Sequence, residues 1–238
     1  MNYRLIIVAV SILLTLQSCG SKNEVSDIPP PEYKIDTAKF ENINPEKDIE
    51  IVIEYPQLSQ LEDISIEDKV NEIIKGAALE PYYYYLERDG DFDNTSWPVE
   101  YTIVYDTGNI LSVMFEGYVY TKGSAHGTNW VYTVNINMNT GERITIDELF
   151  NESFKEKITL DVFYLEIQDD SRDFIEEIMI THKDDFIDSH DNFYFGVEKF
   201  YIILPIMSGR HSFEASYDDL KDCINWDNPI WSEILEVK

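Results

Sequence analysis

The sequence predicts an α+β fold with an antiparallel sheet packed against helices, on three observations. Apolar residues alternate with polar ones in several segments, as in Ile49, Ile51 and Ile53 against Glu50 and Glu54, the period of a half-buried strand. Turn signals such as Asp106-Thr107-Gly108-Asn109 separate these segments at hairpin spacing. Helical spacing occurs once at length, where Ile66, Val70, Ile73, Ile74 and Ala77 share one face. Sequential strands with helices between and after them belong to the α+β class.

The chain opens on a segment apart from that fold. Leu5 to Leu16 read LIIVAVSILLTL behind the basic Arg4, too short for a bilayer core that takes about 20 helical residues. A basic start, a short apolar run and small residues after it describe a secretory signal over residues 1–18. Its end, Leu16-Gln17-Ser18-Cys19-Gly20, resembles the lipobox of bacterial lipoproteins, with Gln17 an unusual second residue. The resemblance implies cleavage before Cys19, lipidation of that cysteine, a membrane contact through the lipid, and a cell-envelope location outside the cytoplasm. Several acyl chains give a stable anchor where one does not. Residues 19–47, with few apolar residues and Pro29-Pro30-Pro31, read as a flexible tether in extended geometry.

Order is expected from Asp48. A first strand runs to Pro56, which stops it. A helix capped by Ser65 follows and ends or kinks at Pro81, because proline lacks the N–H and clashes with the preceding turn. Strands are expected over Val99–Tyr105, Ile110–Thr121 and Asn129–Met138. Thr145 and Glu148 fit a capping box, with Ile144 and Leu149 as its hydrophobic staple. Residues 151–188 read as helices broken near Asp169-Asp170-Ser171. Phe193–Phe195, Phe200–Ile206 and Ser212–Ser216 complete the strands, and Tyr217 begins a short helix. The expected division is an N-terminal half over 48–121 and a C-terminal half over 122–238.

Three stretches together resemble one family, the paired extracytoplasmic domains of unknown function in RsiV-type anti-sigma factors and PdaC-type deacetylases. Val70-Asn71-Glu72-Ile73-Ile74 resembles its Ile-Asn-x-x-Ile helix. Gly123-Ser124-Ala125-His126-Gly127 resembles its Gly-Gly-Ala-His-Pro loop, and Asn139 to Phe150 its Thr-Gly-Lys turn and Asp-Leu-Phe run. Tyr201, Pro205 and Gly209 keep the spacing of a late Tyr-Pro-Gly pattern, with Ile206 in place of its second tyrosine. The resemblance spans about 48–225. It implies a sensing or binding domain, and a lysozyme-like basic protein as one ligand. The segments that carry sigma binding and metal-dependent deacetylation in that family have no counterpart here.

Charge narrows the partners. The formal net charge is −28, which repels nucleic acid and anionic lipid and favours cationic partners, or else serves solubility alone. Hydrophobic content of 44% argues for a folded globule against an acidic disordered chain.

His126 is the leading ligand-contact candidate, on a glycine-rich loop between strands; the bland reading is a ring bonded to loop carbonyls. As a general base it would serve a cell-wall hydrolase or esterase, which needs an orienting carboxylate and a nucleophile, and no nucleophile elbow surrounds Ser124. Tyr82, Tyr83, Tyr84 and Tyr85 form either a contact surface for glycan or protein, or buried rings with hydroxyls at the rim. Asp89, Asp91, Asp93 and Glu100 copy part of a calcium-loop spacing, although Asn94 stands at the glycine position and Pro98 opposes the second helix. A calcium-stabilised adhesin is the reading that spacing would support. Cys223 is left without a disulfide partner once Cys19 is lipidated, and reads as buried. No pair of His126, His182, His190 and His211 has metal-ligand spacing, and no cofactor or catalytic motif is expected. The leading reading is a non-catalytic, lipid-anchored envelope domain that binds a basic protein or a cell-wall fragment.

Overall fold

The computed structural model describes residues 33–164, 176, 177, 179, 181, 192–206 and 209–235, with the backbone alone for Asp89, 204–206 and 209–211. The fold is α+β, with a six-stranded sheet in sequence order and a three-stranded sheet after it. All strand pairs are antiparallel except one. Strand β2 (Ile49–Ser59) pairs in parallel with β3 (Thr95–Asp106), because helix α1 (Ile64–Asp89) carries the chain back to the same end of the sheet.

The tether ends earlier than expected. Lys34–Asn44 form strand β1, paired with β2 from Lys34↔Ser59 to Asn44↔Ile49. Its sequence looks too polar for a strand because it lies at the sheet edge and buries little. Phe40 is its main packing contact, edge-on to Tyr82 at 4.8 Å. Pro56 does not stop β2. It lies beyond the last β2–β3 pair, Ile53↔Val99, where the missing N–H deprives no neighbour on that side.

Helix α1 is capped by Asp63, not Ser65: the Asp63 carboxylate accepts from the Ser65 and Ile66 N–H groups at 2.8 and 3.3 Å. It runs through Pro81 to Gly90, whose φ of 84° closes the C-terminus with a bond to the Leu86 carbonyl. Pro81 removes the donor for the Ala77 carbonyl. At the next carbonyl, Ala78, the Tyr132 hydroxyl supplies a bond from the sheet at 2.9 Å. Burial of Ala77, Ala78 and Tyr82 against the sheet holds the helix across a residue that is unfavourable in a helix interior.

Strands β4 (Ile110–Thr121) and β5 (Thr128–Asn137) follow as a hairpin, then β6 (Glu142–Arg143). The six-stranded sheet therefore crosses residue 122, where the division into halves was expected. The capping box forms: Glu148 accepts from the Thr145 N–H at 3.2 Å and starts α2 (Ile146–Leu149). Helix α3 (Phe154–Lys157) is short, and Glu176, Glu177, Met179 and Thr181 are helical. The expected break at Asp169-Asp170-Ser171 lies outside the described residues.

Strands β7 (Phe193–Phe195), β8 (Lys199–Ile206) and β9 (Gly209–Ser216) form the second sheet. Helices α4 (Tyr217–Leu220) and α5 (Ile230–Leu235) close the chain. One core packs α1 on the first sheet through Ile51, Ile53, Val70, Ile74, Trp97 and Phe115. A second packs the short helices on the second sheet through Phe150, Phe154, Phe193, Phe200, Phe213 and Trp231.

Candidate functional site

The six-stranded sheet brings three loops to one end. They are the β1–β2 turn at 45–48, the α1–β3 connection at 90–94 and the β4–β5 tip at 122–127. Backbone bonds tie them together: Lys122 N–H to the Asn94 carbonyl and Asn94 N–H to the Lys47 carbonyl, both at 2.8 Å. Lys122 also reaches Asp48 at 2.9 Å and Lys47 reaches Asp93 at 2.7 Å. Each carboxylate raises the pKa of its lysine, but exposed pairs of this kind contribute little stability.

His126 lies exposed on the tip. Its Nδ1 sits 3.1 Å from the Gly127 carbonyl oxygen, and among the described residues its hydrogen bond goes there and not to a carboxylate. Gly127 donates its N–H to the Tyr118 hydroxyl at 2.9 Å. A side chain at Gly127 would meet the Tyr118 ring at 2.5 Å, so only glycine lets the tip close on that ring. Among the described residues, the arrangement holds the imidazole at the surface with its bond to a backbone carbonyl.

The four tyrosines divide by helical position. Tyr82 stacks on Phe92 at 4.8 Å and its hydroxyl accepts from Asn42. Tyr85 stacks on Phe92 and meets Trp97 edge-on. Tyr83 and Tyr84 face solvent, half exposed, with Arg88 over the Tyr84 and Tyr85 rings at 5.6 and 5.0 Å. The run is thus half packing and half surface, as a helix requires of consecutive residues.

The calcium spacing does not close into a loop. Asp93 is held by Lys47, and Glu100 lies within β3 opposite Glu116, where the motif needs a second helix. The side chain of Asp89 lies outside what is described. Among the described residues no group of acidic, histidine and cysteine side chains could hold a metal ion. Cys223 is buried, its thiol donating to the Leu220 carbonyl at 2.9 Å. Burial pushes that thiol up to about 11, away from nucleophile chemistry. His182 and His190 lie outside the described residues, and of His211 only the backbone is described.

Sequence reasoning missed an open sheet face beside the tip. Val119 and Trp97 point into the α1 core. Their strand neighbours Tyr118 and Tyr120 point the other way, 44% and 37% exposed. Tyr120 lies across from Ser96, and Tyr118 from Asn129. The signal was present as tyrosines two apart on a strand, but a half-buried strand and a recognition face share that spacing.

Comparison with known proteins agrees with this fold. Residues 43–129 match the family model described as deacetylase PdaC. The chain has the fold of a DUF3298 family member from Bacteroides fragilis NCTC 9343, with a TM-score of 0.59 at 15% identity over 86% of this chain and 97% of that one. It is also similar to a DUF3298 family protein from Pseudomonas aeruginosa PAO1, with a TM-score of 0.53 at 11% identity over 83% of this chain and 96% of that one. No curated protein matches the chain.

Proposed function

We propose that this chain, with its PdaC-type match and DUF3298-type fold, is a lipid-anchored envelope protein whose domain binds a ligand without transforming it. The direction of the sheet is the observation that carries this reading. The described chain begins at Tyr33, whose hydroxyl donates to Asp106 at 2.7 Å, at the end of the sheet opposite the three loops. From a lipid on Cys19, the residues before Tyr33 reach at most roughly 45 Å. Strand β1, with 11 residues, then spans roughly 35 Å more. A tethered domain would hold the His126 tip outward and the Tyr33 end toward the membrane. No helix among the described residues is long and apolar enough to cross a bilayer.

The ligand in this reading is a basic protein such as lysozyme, or a cell-wall glycan. His126 serves as a surface contact, since among the described residues its ring bonds the Gly127 carbonyl and not the orienting carboxylate that a hydrolase would use.

Two measurements test the proposal. Replacing Cys19→Ala should abolish incorporation of labelled fatty acid and release the protein from the membrane fraction; equal labelling would end the lipoprotein reading. Calorimetric titration with lysozyme should show saturable heat at a fixed stoichiometry, and a basic protein of equal charge should not. The same heat from both would reduce the interaction to generic attraction.

A further inference from the structure

One face of the six-stranded sheet is shared between two surroundings. Its lower half, around Ser112, Met114, Thr133 and Asn135, lies under the second sheet. Its upper half is exposed at Ile43, Glu50, Glu100, Tyr118 and Tyr120, and among the described residues the second sheet does not reach it.

Three rows of cross-strand neighbours make up the open half. Ile43, Glu50, Ser96 and Tyr120 form the row nearest the loops. Glu41, Val52 and Pro98 lead toward Tyr118 and Asn129 in the next. Glu100 and Glu116 stand opposite one another in the third. Ile43 is 55% exposed, and Val52 and Pro98 in the next row join it across β2 and β3 to the two tyrosines on β4, an apolar strip flanked by glutamates. Lys39 flanks the strip and is taken by Glu54 at 2.6 Å. Among the described residues no other Lys or Arg stands in these rows.

We propose that this open half docks a lysine- or arginine-bearing polypeptide segment, with Tyr118, Tyr120 and Ile43 taking the aliphatic stems and Glu50 and Glu100 the charged heads. It rests on the binding reading above and names that reading's surface. Contiguous apolar surface rimmed by polar groups marks an interaction site, and tyrosine is enriched where binding energy concentrates. The carboxylates choose the occupant. They repel an anionic polymer, give a neutral glycan no charge to pair with, and meet a cation by direct complementarity. Long basic side chains lay apolar stems on apolar surface while their heads stay in water, and their cations favour the tyrosine face. The chain makes the same contact internally, where Arg88 covers Tyr84 and Tyr85. Gly127 and the Tyr118 hydroxyl bond fix one ring in advance, which lowers the ordering cost of docking.

The test uses the full chain in neutral detergent with a fluorescein-labelled deca-arginine peptide, read by anisotropy. Glu50→Lys with Glu100→Lys should weaken binding about tenfold or more, since like charges now face the peptide. Glu72→Lys with Glu87→Lys changes net charge equally on exposed positions of α1, on the other side of the sheet, and should shift affinity by no more than about twofold. Tyr120→Ala should weaken binding about tenfold, and this loss should persist in high salt. Matching thermal melts would establish that all variants fold. Equal loss in both double variants, no loss with Tyr120→Ala, or wild-type protein that prefers a neutral chito-oligosaccharide to the peptide would each overturn the proposal. If lysozyme binds the wild type and both double variants alike, the binding reading stands and this face is wrong. If lysozyme gives no saturable heat while the peptide binds through these residues, the face stands and lysozyme falls.

Discussion

Strands β3 to β5 turn one face toward two surroundings, and the same period-2 pattern serves both. In the covered half the outward positions are Ser112, Thr133 and Asn135, all buried. Ser112 donates to Asn135 at 2.6 Å, and Asn135 and Thr133 each donate to the Phe193 carbonyl at 2.7 Å. Asn192 completes the junction, accepting from the Thr133 N–H at 2.8 Å and donating to the Val131 carbonyl at 3.0 Å. In the open half the equivalent positions carry Tyr118, Tyr120 and Glu100, beside Glu50 on β2. Small polar side chains that fix a second sheet give way to large rings and charges that stay exposed at Tyr118, Tyr120, Glu50 and Glu100. The difference teaches that polarity on a strand does not by itself mean solvent; side-chain length and charge separate the two uses. Ser, Thr and Asn can be satisfied by one neighbouring backbone, whereas a glutamate ring around tyrosines is costly to bury.

The largest expected effect breaks the covered half. Asn192→Ala leaves the Thr133 N–H and the Val131 carbonyl without their partner in a buried junction, at about 3 kcal/mol of stability. Asn129→Ala, at an exposed position of the open half, should cost under about 0.5 kcal/mol. Urea unfolding of the two variants checks this. Equal costs would mean that the junction is not the difference between the halves.

The same contrast explains what the sequence could and could not disclose. Residues that decide structure with their nearest neighbours were readable: the β4 and β5 strands, the turns, the Thr145–Glu148 box and the α+β class. Contacts distant in sequence were hidden. Strand β1 is too polar to announce itself, and its order comes from pairing with β2 and from Phe40 on Tyr82. Helix α1 passes Pro81 while packed on the sheet, where Ala77, Ala78 and Tyr82 are buried and Tyr132, far along the chain, donates to the Ala78 carbonyl. The burial of Asn192 and Thr133 comes only from β7 packing over the first sheet, which no local pattern announces. At the candidate site, the exposed position of His126 was legible from its glycine loop. Tyr118 and Tyr120 were not, since exposure depends on where the second sheet stops.

A smaller effect sharpens the boundary through pH. Tyr101 and Ile103 pack with α1, and the register then shifts between Ile103 and Tyr105. This bulge sends Tyr105 into the core of the second sheet, beside Phe195 at 6.0 Å. Its hydroxyl has no hydrogen-bond partner among the described residues. Burial pushes its pKa up to about 12 from the ordinary 10.0. Below about pH 10 both folded and unfolded chains hold the proton, so the contribution is complete. From there to about 12 the unfolded chain releases it and the folded chain does not, so stability falls as pH rises. Tyr33, Tyr132 and Tyr217 are raised in the same direction by burial. Tyr105→Phe should therefore be nearly neutral at pH 7, since it removes an unpaired buried hydroxyl. It should also flatten part of the alkaline loss between pH 10 and 12. An unchanged alkaline slope would show that Tyr105 is not held in that core.

The smallest effect concerns what the open half gives up. Glu100 and Glu116 are directly opposite on neighbouring strands, and like charges there oppose pairing. Both positions reach solvent, so the penalty is modest and screened by salt. Glu100→Gln keeps the shape and removes one charge. It should raise stability by about 0.3 kcal/mol at low ionic strength, and the gain should vanish in 1 M salt. In the same variant, affinity for the deca-arginine peptide should fall. The opposed signs are the informative part. A residue retained for folding would lose stability on this change, and one retained for solubility would leave the peptide unaffected. Only a residue kept for a cationic partner gains stability and loses binding together. A Glu100→Gln chain that is less stable than wild type, by urea unfolding at low salt, would assign this glutamate to the sheet and not to its ligand.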